Sequence, residues 1–92
     1  MKTINVNVGQ INVLISVLTT GSAKDIAEMR KINRALNVIE GKVKPDEKIE
    51  GEVELEFEDA DFETLKNRFN SFENWNLQAQ KLILEVDKII NN

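Results

Sequence analysis

Carboxylates are the residues in this chain with the most obvious capacity for chemistry. Between positions 50 and 63, Glu50, Glu52, Glu54, Glu56 and Glu58 alternate with Gly51, Val53, Leu55 and Phe57, and Asp59, Asp61 and Glu63 follow. Carboxylates can move protons, ligate hard cations or meet a basic surface. Nothing else in the composition helps them towards catalysis. The 92 residues include no histidine and no cysteine, which removes the side chain that titrates near neutrality and the thiol that serves as nucleophile and soft metal ligand.

On a strand, alternate side chains share a face and recur roughly every 7 Å. Five like charges in that pattern suit a solvated sheet face that also discourages edge-to-edge aggregation. They equally suit an acidic strip that docks on a basic partner. A divalent-metal site fits less well, because carboxylates spread along a strand diverge instead of enclosing an ion. Asp59, Asp61 and Glu63 have the composition of a calcium loop, but the glycine and closing glutamate of its twelve-residue pattern are missing. Helix N-capping accounts for both aspartates, and no metal or cofactor is expected.

The remaining candidates have plain structural readings beside functional ones. Thr20-Gly21-Ser22-Ala23-Lys24 precedes a helix, where anions can bind, yet it lacks the glycine spacing and Lys-Ser/Thr pair of a phosphate loop. Ser22 as a nucleophile would need a base, and Lys24 is expected in solvent. Lys24, Arg30, Lys31 and Arg34 make a modest basic patch with no interleaved aromatic residues for base stacking. It reads as an exposed helix face or as a counter-charge for the glutamates. Trp75 reads as a core plug where two helices meet, or as an apolar binding anchor, since Trp is enriched among interface hot spots.

These residues are positioned by elements that periodicity predicts. Residues 2–8 alternate, with Ile4, Val6 and Val8 against Thr3, Asn5 and Asn7, as in a half-buried strand. Gly9 is expected to punctuate. Ile11, Leu14, Ile15 and Leu18 then follow helical spacing, although Ile11, Val13, Ile15 and Val17 also alternate, and a hairpin turning at Gly9-Gln10 competes with the favoured helix. Ser22 and Asp25 resemble a capping box. The helix they open is predicted to run to about Glu40 with Ile26, Met29, Ile32, Leu36 and Ile39 as its buried stripe, and Gly41 as its C-terminal cap. Residues 42–49 form a charged loop around Pro45, and residues 50–58 a second strand. Asp59 or Asp61 caps a third helix carrying Phe62, Leu65, Phe69 and Phe72. After a break at Asn74-Trp75-Asn76, a last helix spans about 77–90, with Ala79, Leu82, Ile83, Val86, Ile89 and Ile90 on one face.

The predicted class is α+β, a small two-stranded sheet packed with about four helices in the order β-α-α-β-α-α. Two strands rarely make a stable sheet alone, so either helices cover one face or dimerisation completes the sheet. Hydrophobic content of 41% supports one folded domain over residues 1–92. Charge is uneven: residues 1–48 carry 8 Lys/Arg against 5 Asp/Glu, and residues 49–92 carry 4 against 11. An acidic C-terminal half argues against binding phosphate backbones directly. No apolar run approaches the roughly 20 residues of a membrane-spanning helix.

The start strand with Val8-Gly9-Gln10, the apolar helix, the Lys/Arg-bearing stretch Ala23-Lys24-Asp25-Ile26-Ala27-Glu28-Met29-Arg30-Lys31 and the strand Val53-Glu54-Leu55-Glu56-Phe57 before an acidic helix start together resemble small accessory proteins of phages and prophages of Gram-positive bacteria. The abundance of Asn, Ile and Lys fits an AT-rich genome. The resemblance implies inhibition of host defences or help in particle assembly, in a host cytoplasm or a virion, and transfers no functional residue. The expectation drawn from residues and resemblance together is a non-enzymatic binding protein. Glu52, Glu54, Glu56 and Glu58 are its contact surface for a host or phage protein with a basic surface, and Trp75 is an apolar anchor. Self-associating structural protein and small-molecule or nucleotide sponge are the alternatives.

Overall fold

The computed structural model describes residues 1–43 and 50–92; most of the expected charged loop, with Pro45, lies outside the described residues. Alternation at the N-terminus yields β1 (Lys2–Val6), which pairs antiparallel with β2 (Val53–Phe57) in a two-stranded sheet. The register sets Ile4 opposite Leu55 and Val6 opposite Val53 on one face, and Thr3 opposite Glu56 and Asn5 opposite Glu54 on the other. Four helices complete the α+β fold: α1 (Val8–Thr19), α2 (Ile26–Lys42), α3 (Asp59–Ser71) and α4 (Gln80–Ile90), the last preceded by a 3-10 turn at Leu77–Ala79. They bury the inner sheet face. Ile4, Val6, Leu55 and Phe57 join Leu14, Ile39, Leu65 and Ile90 in one core, and Thr3, Asn5, Glu54 and Glu56 on the outer face are exposed.

Residues 8–19 are helix, not the second arm of a hairpin. The deciding feature is Asn7, whose side chain accepts from the Gln10 N–H at 2.9 Å while the Gln10 side chain accepts from the Asn7 N–H at 2.9 Å. This reciprocal cap satisfies two donors that a helix start would otherwise leave open. Gly9 therefore lies within the first turn and does not break the chain. A Cβ placed there would only just touch Leu82 Cδ1 of α4, at 3.4 Å.

In α2 the cap is Asp25, which accepts from the Glu28 N–H at 2.8 Å; Ser22 lies outside the motif. Gly41 is not the terminator, because the helix continues to Lys42 and Val43 is its cap. The expected stripe is also rotated. Ile26 and Met29 are 59% and 53% exposed, whereas Ala35 is fully buried beside Ile32 and Ile39. At 3.6 residues per turn, Ala35 lies about 180° round the helix from Ile26. Two ion pairs hold α2 antiparallel to α3 in this rotation: Glu28 with Arg68 at 3.0 Å, and Arg34 with Asp61 at 2.9 Å.

Arg68 does more than pair with Glu28. Its Nε donates to the Val17 carbonyl at 3.2 Å, Nη1 to Ser22 O at 3.1 Å and Nη2 to Thr20 O at 2.8 Å. The end of α1 carries no basic residue of its own. A side chain from α3 thus satisfies carbonyls that a helix C-terminus leaves without partners, and places a cation where the helix dipole favours one.

Candidate functional site

The acidic strip is shorter as a strand feature than its sequence pattern. Gly51 takes a left-handed φ of 77°, which a continuing strand does not accommodate, and β1 offers only five residues for pairing. At the other end Glu58 becomes the N-cap residue of α3 and makes no side-chain cap bond. Only Glu54 and Glu56 therefore stand on the outer face of the pleat. Glu52 and Glu58 flank the strand, Glu50 lies further out, and all five are exposed.

Across the sheet, Glu54 and Glu56 face Asn5 and Thr3. These are neutral polar neighbours, so no like charge sits directly opposite. Among the described residues Glu52, Glu54 and Glu56 form no ion pair. Two carboxylates about 7 Å apart in water repel by only about 0.6 kcal/mol. A solvated strip of this kind stands without internal counter-ions, and it gains most from cations supplied by another surface.

Arg34, one of the candidate counter-charges, is committed elsewhere. Its Nε lies 3.1 and 3.0 Å from the two Asp61 oxygens, and Nη2 lies 2.9 Å from Oδ1. The guanidinium pKa is pushed up from its ordinary value, first by the hydrogen bond to Asp61, then by the charges of Asp61 and Glu58, with desolvation opposing. Asp61 is 2% exposed. It is thus a buried ion-pair partner in the first turn of α3, neither the expected cap nor a metal ligand. No cluster of three metal-binding side chains forms among the described residues.

Trp75 lies elsewhere. Glu58 precedes α3 and Trp75 follows it, so they flank opposite ends of a helix of thirteen residues, about 20 Å long at 1.5 Å rise each. The half-buried indole packs on Phe72 and Phe69, with ring centroids 4.4 and 5.2 Å away. Asn74 turns the chain there with a φ of 63°, a left-handed conformation that Asn tolerates. The indole forms part of a groove of about 340 Å³ with Val13, Phe72 and Ile83 as apolar walls. Sequence reasoning singled out Trp75 but not this concavity, whose walls come from α1, the α3–α4 connection and α4.

A larger polar groove of about 620 Å³ runs between α2 and α3 past Lys24, Lys31 and Arg68. Several of its functional groups are engaged, although Lys24 and Lys31 make no ion pair among the described residues. Glu28 and Arg68 hold each other, Asp25 caps α2, and the Thr64 and Ser71 hydroxyls donate to Ala60 O and Asn67 O of their own helix. Ser22 is exposed, and its hydroxyl bonds to no base among the described residues. No helix among the described residues is long and apolar enough to cross a membrane. Compared with known proteins, the chain matches no family model, no curated protein and no solved structure.

Proposed function

We propose that this chain is a small non-catalytic binding protein that acts by stoichiometric association, with the outer face of its sheet presented to a protein with a basic surface. The observation that carries this reading is the uncovered face of the sheet, where Glu54 and Glu56 stand exposed between Glu52 and Glu58 with no ion-pair partner for the first three in chain order among the described residues. In the sharper form, the strip offers carboxylates where a nucleic-acid-handling host or defence protein holds phosphates, and so competes with its nucleic acid. A phage or prophage source, and action inside the host cell, draw their support from the sequence resemblance alone.

Charge complementarity of this kind speeds encounter and makes affinity fall with salt. The test captures partners from a lysate of the source cell on the immobilised protein. Affinity for a retained partner is then measured across salt concentrations beside Glu54→Lys and Glu56→Lys. Both substitutions lie on an exposed face, so the fold survives them. Binding should weaken at least about tenfold in each variant, a change of about 1.4 kcal/mol, and the salt slope should flatten. Unchanged binding in both variants removes the acidic strip from the function.

A further inference from the structure

We propose that the groove beside Trp75 binds a small neutral planar heterocycle, a free base or nucleoside in chemical class. Its volume, about 340 Å³, lies at the small end of ligand clefts and matches a ring system better than a peptide. Charged side chains make up 30% of the chain, yet among the described residues none lines this concavity. Its occupant therefore meets no cation that would hold a phosphate or carboxylate, and no carboxylate that would hold an amine.

The walls say what kind of neutral molecule fits. Phe72 and Phe69 pack against the Trp75 ring and fix its orientation, while its partial exposure leaves aromatic surface for stacking. Asn74 and Asn76 flank Trp75 in the groove lining. Each amide carries both donor and acceptor, the combination that reads the edge of a heterocycle. Asn76 uses its oxygen to accept from the Gln78 N–H at 2.9 Å, a cap in which its NH2 takes no part. The Ser16 hydroxyl, which donates to Asn12 O at 3.0 Å, adds an acceptor from the opposite wall. Stacking surface, amides and the absence of charge together favour an uncharged base over a nucleotide. The inference is independent of the acidic strip, which lies at the other end of α3.

Trp75 is the only tryptophan, so its emission reports on this groove directly. Adenosine is titrated into the full chain under selective tryptophan excitation, beside adenosine monophosphate and with free tryptophan amide as the optical control. The expected result is a saturable change with a midpoint below about 1 mM for adenosine and weaker binding for the monophosphate. Ser16→Arg and Ala79→Arg fill the groove from two different elements and should each weaken binding at least about tenfold, with circular dichroism confirming the fold. No saturable change with adenosine overturns the proposal, as does tighter binding of the monophosphate, or wild-type affinity in a folded arginine variant. The wild-type comparison of the two ligands decides if neither variant folds.

Discussion

Replacing Arg68 with alanine removes one guanidinium from four acceptors on three segments of chain. The losses are unequal. Val17 is fully buried, so its carbonyl loses a partner that water cannot readily replace, at about 1–3 kcal/mol. Thr20 and Ser22 are exposed, and water takes over their carbonyls at small cost. The Glu28 pair has side chains 15% and 25% exposed and adds up to about 1 kcal/mol. Loss of the cation at the end of α1 adds about 0.3–1 kcal/mol. Together these give about 1–5 kcal/mol, which for a chain of this size lowers the melting midpoint by roughly 5–40 °C. Urea unfolding followed by circular dichroism measures the difference, with an unchanged slope showing that the native state stays compact. Arg68→Lys should recover only part of the loss, because an ammonium lacks the planar fork that reaches Val17, Thr20 and Ser22 together. A loss below about 0.5 kcal/mol for Arg68→Ala, within the range of ordinary surface substitutions, refutes the idea that this residue fastens α1 to α2 and α3. Full stability in Arg68→Lys refutes the part assigned to the fork.

The other predictions concern the second ion pair, the glycines and the two surfaces. Arg34→Met should lower the melting midpoint more than the double change Arg34→Met/Asp61→Leu, because the single change strands a buried carboxylate; the reverse order would show that the pair does not act as a unit. The Arg34 pKa is raised in the folded chain, so its stabilisation is fully present below the ordinary arginine value and is lost only as pH rises through the folded value; a flat contribution between neutral and moderately alkaline pH, read from wild type against Arg34→Met, checks the sign. Gly41→Ala should raise stability by about 0.5–1 kcal/mol, since Gly41 lies inside α2 and the added methyl meets no other side chain within 4 Å among the described residues, whereas Gly51→Ala should lower it because φ there is 77°; urea midpoints moving in the same direction would contradict this. Charge reversal at Glu54 and Glu56 should abolish salt-sensitive association, and adenosine should perturb Trp75 emission in a manner that Ser16→Arg removes.

What could be read from the sequence, and what could not, follows from the range of each interaction. The alternation of Ile4 and Val6, and of Val53, Leu55 and Phe57, directly gives two half-buried strands and hence an α+β chain. In residues 10–18 two periods coexist, so spacing alone could not choose between them. The choice lay three residues upstream, in the Asn-x-x-Gln of Asn7 and Gln10, a local signal obscured by the more conspicuous Gly9. The glutamate ladder shows a different limit. Its alternation is real, but strand length is set by a partner some fifty residues away, and β1 ends where Asn7 starts capping a helix. For the same reason the sequence places Trp75 at a helix break but cannot show that α1 supplies the facing wall of its groove.

The rotation of α2 makes the point in energetic terms. Burying Ile26 and Met29 would gain up to about 1.5–3 kcal/mol apiece, and an apolar stripe read in isolation favours that arrangement. The observed helix instead turns Ala35 inward, leaves both large side chains outside and brings Glu28 to Arg68 and Arg34 to Asp61. Ala35 is buried together with Ile32 and Ile39 in the shared core. The alternative rotation would have to leave Asp61 without its guanidinium in a site that is 2% exposed, at a cost of about 3–5 kcal/mol that offsets most of what burying the two side chains would gain. The exposed Ile26 and Met29 are therefore the consequence of satisfying a carboxylate 27 positions beyond Arg34, a constraint that no window along α2 contains.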